Sequence, residues 1–443
     1  MRITKKNTIF IMLSFEGPDV YSMAGGLGSR VTFMTEALAN MGFTVHHFFV
    51  GSPSQPSKEY RYDDKLVLHR WCQWISKYHL GGVYEGEEEK LADFTASLPP
   101  YLVDDIIMPS IKQNRHVVIL AEEWHTAAAM CSINDLLNKH DIRNSVVMFW
   151  NANNTYSFNR IEWDNFCSCT TITTVSKYMK QIMQGMNVSA MVIPNGIPMT
   201  ILVNPKEGHV SSLQDIFAER QLFSKVARWH YDKGWETTIN AIKMLKQQGK
   251  KPVLLARGGI ESYQDGVFGL AKSLDLKVKD VYLAGDIEEH YRRALVDEDF
   301  DAYFEALSQI DDADIVNLQF PIPSPFLQII YRASNIVIAN SIHEPFGLVP
   351  LEAMAAGAVV MCGSSGEDYA IHMYNAIVLD TYAPEEILFY IEMLRDNRSK
   401  YKAISVAAQQ TAERWSWENV ISILLSKLEF QGYMQQIATP EFQ

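Results

Sequence analysis

Short apolar runs alternate with amphipathic stretches along most of the 443 residues. Thr8–Leu13 reads as a buried strand, being almost wholly apolar and short. Val31, Met34, Leu38 and Met41 then recur at helical spacing, and Gly42 ends that helix. Val45–Val50, His116–Leu120, Ser145–Phe149, Thr170–Val175 and Met191–Ile193 read as further strands. Strands apolar on both faces, alternating with helices, predict a parallel sheet covered by helices. The pattern breaks at Pro194-Asn-Gly-Ile-Pro198, and residues 200–213 show little periodicity. It then restarts. Leu222–Ala227 is a strand, and Trp235–Gln248 is a helix with Ile239, Ile242 and Leu245 inward. Pro252–Ala256, Ile315–Leu318, Ile336–Ala339 and Val359–Cys362 follow as strands. The expected architecture is α/β: two doubly wound domains, 1–199 and 200–415, then a helical segment, 416–443, returning to the first domain. Ligands of such sheets bind at the carboxyl ends of the strands. Two facing domains would place the site in the cleft between them.

Two stretches stand apart from this alternation. Asp286–Asp314 is rich in acidic residues and reads as a helical insertion in the second domain. Asp299-Phe-Asp301 inside it is a solvated helix face in preference to a metal motif. The stretch from Tyr60 to Tyr84 carries Trp71, Trp74 and Tyr78 at i, i+3 and i+7. It reads as a core helix in preference to an aromatic surface that binds an acceptor sugar.

Composition narrows the class. A net charge of −13 argues against general nucleic-acid binding, which needs a basic footprint. Residues 1–200 are close to neutral, and the remainder carries most of the negative charge. The five cysteines (Cys72, Cys131, Cys167, Cys169, Cys362) form no CxxC pair, as expected in a reducing cytoplasm. The basic start is followed by only five apolar residues and then Glu16 and Asp19, so a first strand fits better than a signal peptide. His46, His47, His69 and His79 lack metal-like spacing and read as structural. No run approaches the roughly 18 apolar residues of a membrane span.

Two strings carry candidate chemistry. In Asn340-Ser-Ile-His-Glu344-Pro-Phe-Gly347-Leu348-Val-Pro-Leu-Glu352 a buried strand leads through a glycine turn into a helix. The free N–H groups of that helix start suit a phosphate, and Glu344 and Glu352 can accept hydrogen bonds from sugar and ribose hydroxyls. In Phe223-Ser-Lys-Val-Ala-Arg228-Trp-His-Tyr-Asp-Lys233-Gly234, two cations flank a turn and can neutralise a diphosphate. A dinucleotide fingerprint is absent: Gly25-Gly-Leu-Gly28 is followed by Val31, where a third glycine would stand.

Together these strings resemble the retaining GT-B glycosyltransferases, family 4 in particular, with glycogen and starch synthases as relatives. Further segments are similar to that group: Gly25-Gly-Leu-Gly28, Glu123-Trp-His125, Thr174-Val-Ser176, Pro194-Asn195-Gly196, Ser364-Ser-Gly366-Glu367 and Asn375-Ala-Ile-Val-Leu379. The resemblance implies two Rossmann-like domains and a nucleoside-diphosphate hexose (UDP-, ADP- or GDP-linked) as donor. It implies a hydroxyl-bearing acceptor, no metal and a cytoplasmic setting; a soluble acceptor is favoured over one at a membrane surface. Arg228 and Lys233 would hold the diphosphate with N–H groups of Gly347, Leu348, Gly25 and Gly26. Glu344 would bind the transferred sugar, and Glu352 the ribose. Asn317–Phe320 would border the base.

Two departures stand out. Trp150-Asn151-Ala-Asn153-Asn154 follows a strand where relatives carry a histidine. Trp150 is expected to stack on a sugar with an asparagine beside it. Substitution by His125 or Glu123, or lost transfer, are the alternatives. Met23 stands where glycogen synthases carry a lysine. The runner-up functions are a sugar phosphorylase and a non-catalytic nucleotide-sugar binder.

Overall fold

A computed structural model describes residues 1–259, 261–310 and 312–437. Asp311 of the acidic stretch and the last six residues of the expected C-terminal segment lie outside it. The chain divides into two compact units. Unit 1 is Met1–Gly196 with Ser416 onward, and unit 2 is Ile197–Trp415.

Unit 1 holds eight strands: β1 Thr8–Leu13, β2 Thr44–Val50, β3 Lys58–Arg61, β4 Leu66–Trp71, β5 His116–Glu122, β6 Val146–Ala152, β7 Thr171–Thr174 and β8 Met191–Val192. Their order is β3-β4-β2-β1-β5-β6-β7-β8. All neighbours are parallel except β3 and β4. Phe10 of β1 pairs with Val45 of β2 and Val118 of β5, which puts an apolar row across the centre of the sheet. Met34 and Leu38 of the Gly26–Asn40 helix pack on one face. Leu424 and Leu428 of the Trp417–Met434 helix join the same cluster, so this helix is part of unit 1.

Unit 2 repeats the plan. Its strands are β9 Gln221–Val226, β10 Pro252–Arg257, β11 Val278–Val281, β12 Ile315–Leu318, β13 Ile336–Ala339, β14 Val360–Cys362 and β15 Ile377–Val378. The order is β11-β12-β10-β9-β13-β14-β15, all parallel. Ile239, Ile242 and Leu245 of the Trp235–Gln247 helix are buried, as their spacing predicts.

Two expectations are corrected. The stretch from Tyr60 to Tyr84 is not a helix. It forms β3, a turn with Tyr62, Asp63 and Asp64 at positive φ, β4 and a single helical turn, Gln73–Ser76. The run Leu66-Val-Leu-His-Arg-Trp71, buried over its first five residues in the sheet, outweighs the helical spacing of the aromatics. Trp71 packs against Phe48 and Tyr101, but Trp74 and Tyr78 are 62% and 72% exposed, so the rings do not form one packed stripe. The acidic stretch is helical (Ile287–Val296 and Asp301–Ser308), but it is no insertion. It connects β11 to its parallel neighbour β12. The short β11 contains Lys279 and Asp280, which hid it from a search for apolar runs.

Candidate functional site

The strand ends of unit 2 bring the two candidate strings together. After β9 the chain turns through residues 227–234. Trp229 and Trp235 pack ring to ring with centroids 4.1 Å apart, and the Trp235 indole N–H donates to the Arg228 carbonyl at 2.9 Å. This clamps the backbone beneath Arg228, whose side chain is exposed. Lys233 ends the single turn Tyr231–Lys233 and is 9% exposed. Its Nζ donates to Glu344 Oε2 at 2.8 Å. The Ile342 N–H donates to the Asp232 carbonyl at 2.6 Å, which ties the turn to the segment after β13.

That segment leads into the Leu348–Ala355 helix. Gly347 is its N-cap at φ +77°, with no side chain capping the first turn. A Cβ there would lie 2.8 Å from Glu367 Cγ, so both conformation and space demand glycine. The N–H groups of the first turn therefore remain available to an anion. Glu352 lies on the same helix, and burial pushes its carboxyl up to about 7. The buried Tyr331 hydroxyl, on the Ser324–Ala333 helix, lacks a partner, and Glu352 adds to burial in raising its pKa.

The unit 1 residues are arranged differently. Gly25 is the N-cap of the Gly26–Asn40 helix, so Gly26 and Gly28 belong to its first turn. The helix start is already filled. Glu16 Oε2 accepts from the N–H groups of Ala24, Gly25 and Gly28, each at 3.0 Å. The expected phosphate contact through Gly25 is corrected accordingly: its N–H serves a carboxylate of the same chain. Gly26 is exposed and adds nothing to that cradle.

Trp150 is also corrected. Strand β6 continues to Ala152, which turns Trp150 into the core at 0% exposure. Its ring packs edge-on against Phe166 at 5.1 Å, and its N–H donates to the Glu123 carbonyl at 2.9 Å. A sugar cannot reach it. The asparagines beside it serve a buried network. Asn151 and Asn153 donate to Glu122 Oε2 at 2.9 and 2.7 Å, and Arg30 Nε donates to Glu122 Oε1 at 3.0 Å.

His125 is 4% exposed, between Phe15 and Trp124 rings at 4.3 and 3.9 Å. Its Nε2 meets Glu87 Oε1 at 2.7 Å. Burial lowers its pKa, against the pull of Glu87. Glu123 sits at φ +65° and accepts from the Asn153 N–H at 2.7 Å, and burial pushes its carboxyl up to about 8. His46 and His69 face each other at 3.1 Å inside the sheet, so they are structural as expected.

Sequence reasoning gave no role of their own to two residues of unit 2, Lys225 and Glu367, although Glu367 was named within Ser364-Ser-Gly366-Glu367. Lys225 is 1% exposed on β9, hydrogen-bonds Asn340 Oδ1 and lies 5.1 Å from the Trp235 ring centroid. Burial, then Lys233, lowers its pKa to about 7. A cation interrupting an apolar strand was its signal. Glu367, after β14, is 5% exposed. Its signal was its place at a strand end, where ligands of such sheets bind. Among the described residues no group of three His, Cys, Asp or Glu side chains is placed to hold a metal ion. No helix there is long and apolar enough to cross a membrane.

Comparison with known proteins bears on the fold and on part of the sequence. Residues 301–411 match the family described as glycosyl transferases group 1. An uncharacterized glycosyltransferase of Methanocaldococcus jannaschii is 26% identical over 207 residues, 45% of this chain. The chain spans about half the length of that relative, 50%. Among solved structures, a sucrose-phosphate synthase from Thermosynechococcus elongatus superposes with a TM-score of 0.65 at 17% identity, covering 96% of this chain and 99% of that one. The catalytic domain of starch synthase IV from Arabidopsis thaliana, bound to ADP and acarbose, gives 0.66 at 14% identity, covering 97% and 99%. The chain thus resembles the GT-B glycosyltransferases, in fold over almost its whole length and in sequence over residues 301–411.

Proposed function

We propose that the protein transfers a hexosyl group, with retention and without a metal, from a nucleoside-diphosphate sugar to a hydroxyl-bearing acceptor. The observation that carries this reading is the Lys233–Glu344 pair beside the uncapped Leu348–Ala355 helix and the exposed Arg228. Lys233 paired to Glu344 near an open helix start, with the exposed Arg228 on the same 227–234 loop, suits a diphosphate leaving group. As the bond from sugar C1 to the diphosphate oxygen breaks, Arg228, Lys233 and the N–H groups of Gly347 and Leu348 meet the charge left on that oxygen. The acceptor hydroxyl attacks C1 from the same face and passes its proton to the departing phosphate. Glu344, its charge balanced by Lys233, accepts from a hydroxyl of the sugar. Glu352 accepts from the ribose. The nucleotides carried by structural neighbours, ADP in the starch synthase among them, support a donor of this class.

A thermal-shift panel of UDP, ADP and GDP and their glucose conjugates tests the reading, since a ligand stabilises the folded state by mass action. One nucleotide family should raise the melting temperature. No shift with any of them would sink the proposal. The burial of both Trp150 and His125 favours a second reading, nucleotide-sugar binding without transfer. It predicts the same shift with no nucleoside diphosphate released over a panel of sugar acceptors.

A further inference from the structure

Glu367 is a buried carboxyl without a use in the reaction as described so far. It is 5% exposed, and neither oxygen has a hydrogen-bond partner of good geometry. Its own N–H and that of Ser365 lower its pKa, but less than burial raises it. A buried acid left unsatisfied costs free energy, so a native fold that keeps one points to a ligand.

The local backbone holds Glu367 in this position. A Cβ on Gly366 would lie 2.2 Å from the Glu344 carbonyl and 2.3 Å from that of Pro345, so the two loops touch through a glycine. The Ser365 hydroxyl accepts from the Glu344 N–H at 2.9 Å. The Tyr369 hydroxyl donates to the Gly347 carbonyl. These contacts set the Glu367 side chain under Gly347, at the open start of the Leu348–Ala355 helix.

The charged and titratable groups facing it are Glu344, Lys233, Tyr369 and Cys362. Lys233 is already paired to Glu344. Burial holds Tyr369 and Cys362 well above their ordinary values, so both are neutral. Burial and the Glu344 charge hold Glu367 protonated to about 8. At neutral pH Glu367 is therefore an acid beside the Lys233-paired Glu344. A carboxylic acid needs an acceptor for its O–H and a donor for its C=O. Phosphate oxygens supply acceptors only, whereas a sugar hydroxyl supplies both.

We propose that Glu367 is a second sugar-reading carboxyl, which hydrogen-bonds as a neutral acid to a hydroxyl of the transferred hexose other than the one held by Glu344. This rests on the nucleotide-sugar reading above and adds a specificity determinant to it. The site would take an uncharged pyranose, with Glu344 as acceptor and Glu367 as both donor and acceptor.

The experiment is titration calorimetry with UDP, ADP and GDP and with their glucose conjugates, on wild type, Glu367→Ala and Glu367→Gln. The ratio of conjugate to bare nucleotide affinity isolates the sugar's contribution. In Glu367→Ala that ratio should fall about tenfold while the bare nucleotide binds as before. Glu367→Gln keeps a donor and an acceptor and should stay within about threefold. The wild-type ratio should fall as pH rises through about 8, and the Gln variant should be flat. An unchanged ratio in Glu367→Ala, or an alkaline fall that persists in Glu367→Gln, overturns the assignment and leaves the nucleotide-sugar reading standing. Wild type that binds no nucleotide at all overturns both.

Discussion

Each unit starts a helix with glycine at the end of a buried strand, and the two starts are treated oppositely. In unit 1 the chain fills its own anion site, with Glu16 accepting from three N–H groups around Gly25. In unit 2 the N-cap Gly347 has no side-chain partner, and the nearby Glu344 is turned to Lys233. Both starts have the same dipole and the same glycine-led loop. The difference is whether the protein supplies the carboxylate itself. A glycine string is therefore only permission for an anion site, and the nearest acid decides whether the site is open.

The largest test of this difference is removal of charge from the open site. Arg228→Ala, Lys233→Ala and Glu344→Ala should each lower turnover about 100-fold or more, measured as nucleoside diphosphate released. Lys233 and Glu344 are in contact at 2.8 Å. Their double variant should therefore lose much less than the two single losses combined. Near-normal turnover in all three single variants would place the anion site elsewhere.

The filled site should respond in stability. Glu16→Ala leaves the Ala24, Gly25 and Gly28 N–H groups without their acceptor, and loss of a cap of this kind costs about 1–2 kcal/mol. Melting should fall by about 2–8 °C in that variant, against little change in Glu344→Ala. If Glu16→Ala melts as wild type does, solvent or another group already satisfies those N–H groups, and the contrast between the two starts disappears.

Legibility in the sequence followed the same line. The wound alternation of both units and the Trp235 helix were readable, because period and strand burial are local properties, whereas a shared donor for Lys233 and Glu344, 111 residues apart, was only what the family resemblance implied. Glu16 was not readable as the occupant of the glycine loop. Its relation to Gly25 and Gly28 depends on how the chain turns after β1. Trp150 was misplaced for a related reason. The apolar run ends at Trp150, but β6 continues through Asn151 and Ala152, since Glu122 and Thr173 satisfy the Asn151 side chain. Polar residues extend a strand when a buried network receives them, and no apolar pattern records that.

A smaller effect separates two buried acids, one in each unit. Burial holds both Glu123 and Glu367 to about 8. The unfolded chain releases such protons near 4.5, so stability is greatest below that value and is lost as pH rises towards 8. Glu123→Gln and Glu367→Gln should melt as wild type does at pH 4.5 and at least about 2 °C higher at pH 8. The two acids should part when a nucleotide sugar is added. Binding would use the Glu367 proton and enlarge its pH slope, while the Glu123 slope stays as it was. Equal behaviour of the two variants with ligand present would show that Glu367 is as closed a site as Glu123.

The smallest expected effect on binding concerns Lys225, the buried cation nearest the open site. Its folded pKa of about 7 lies below its ordinary value, so the unfolded chain takes up the proton first as pH falls. Its contribution is greatest at high pH and is lost as pH drops from about 10.5 towards 7. Lys225→Met removes that slope and fills a similar volume against Trp235. It also takes one donor from Asn340 Oδ1, which keeps the Thr238 hydroxyl at 3.1 Å. Most of that contribution is already lost near pH 7.5, so removing the slope outweighs the one lost hydrogen bond, and the variant should be more stable than wild type there. Nucleotide affinity should change less than about threefold, because the Lys225 ammonium faces Asn340 and carries at most part of a charge at that pH. Lys233→Ala measured in parallel supplies the scale. If Lys225→Met loses as much affinity as Lys233→Ala, the buried lysine belongs to the anion site, and unit 2 opposes the diphosphate with three cations instead of two.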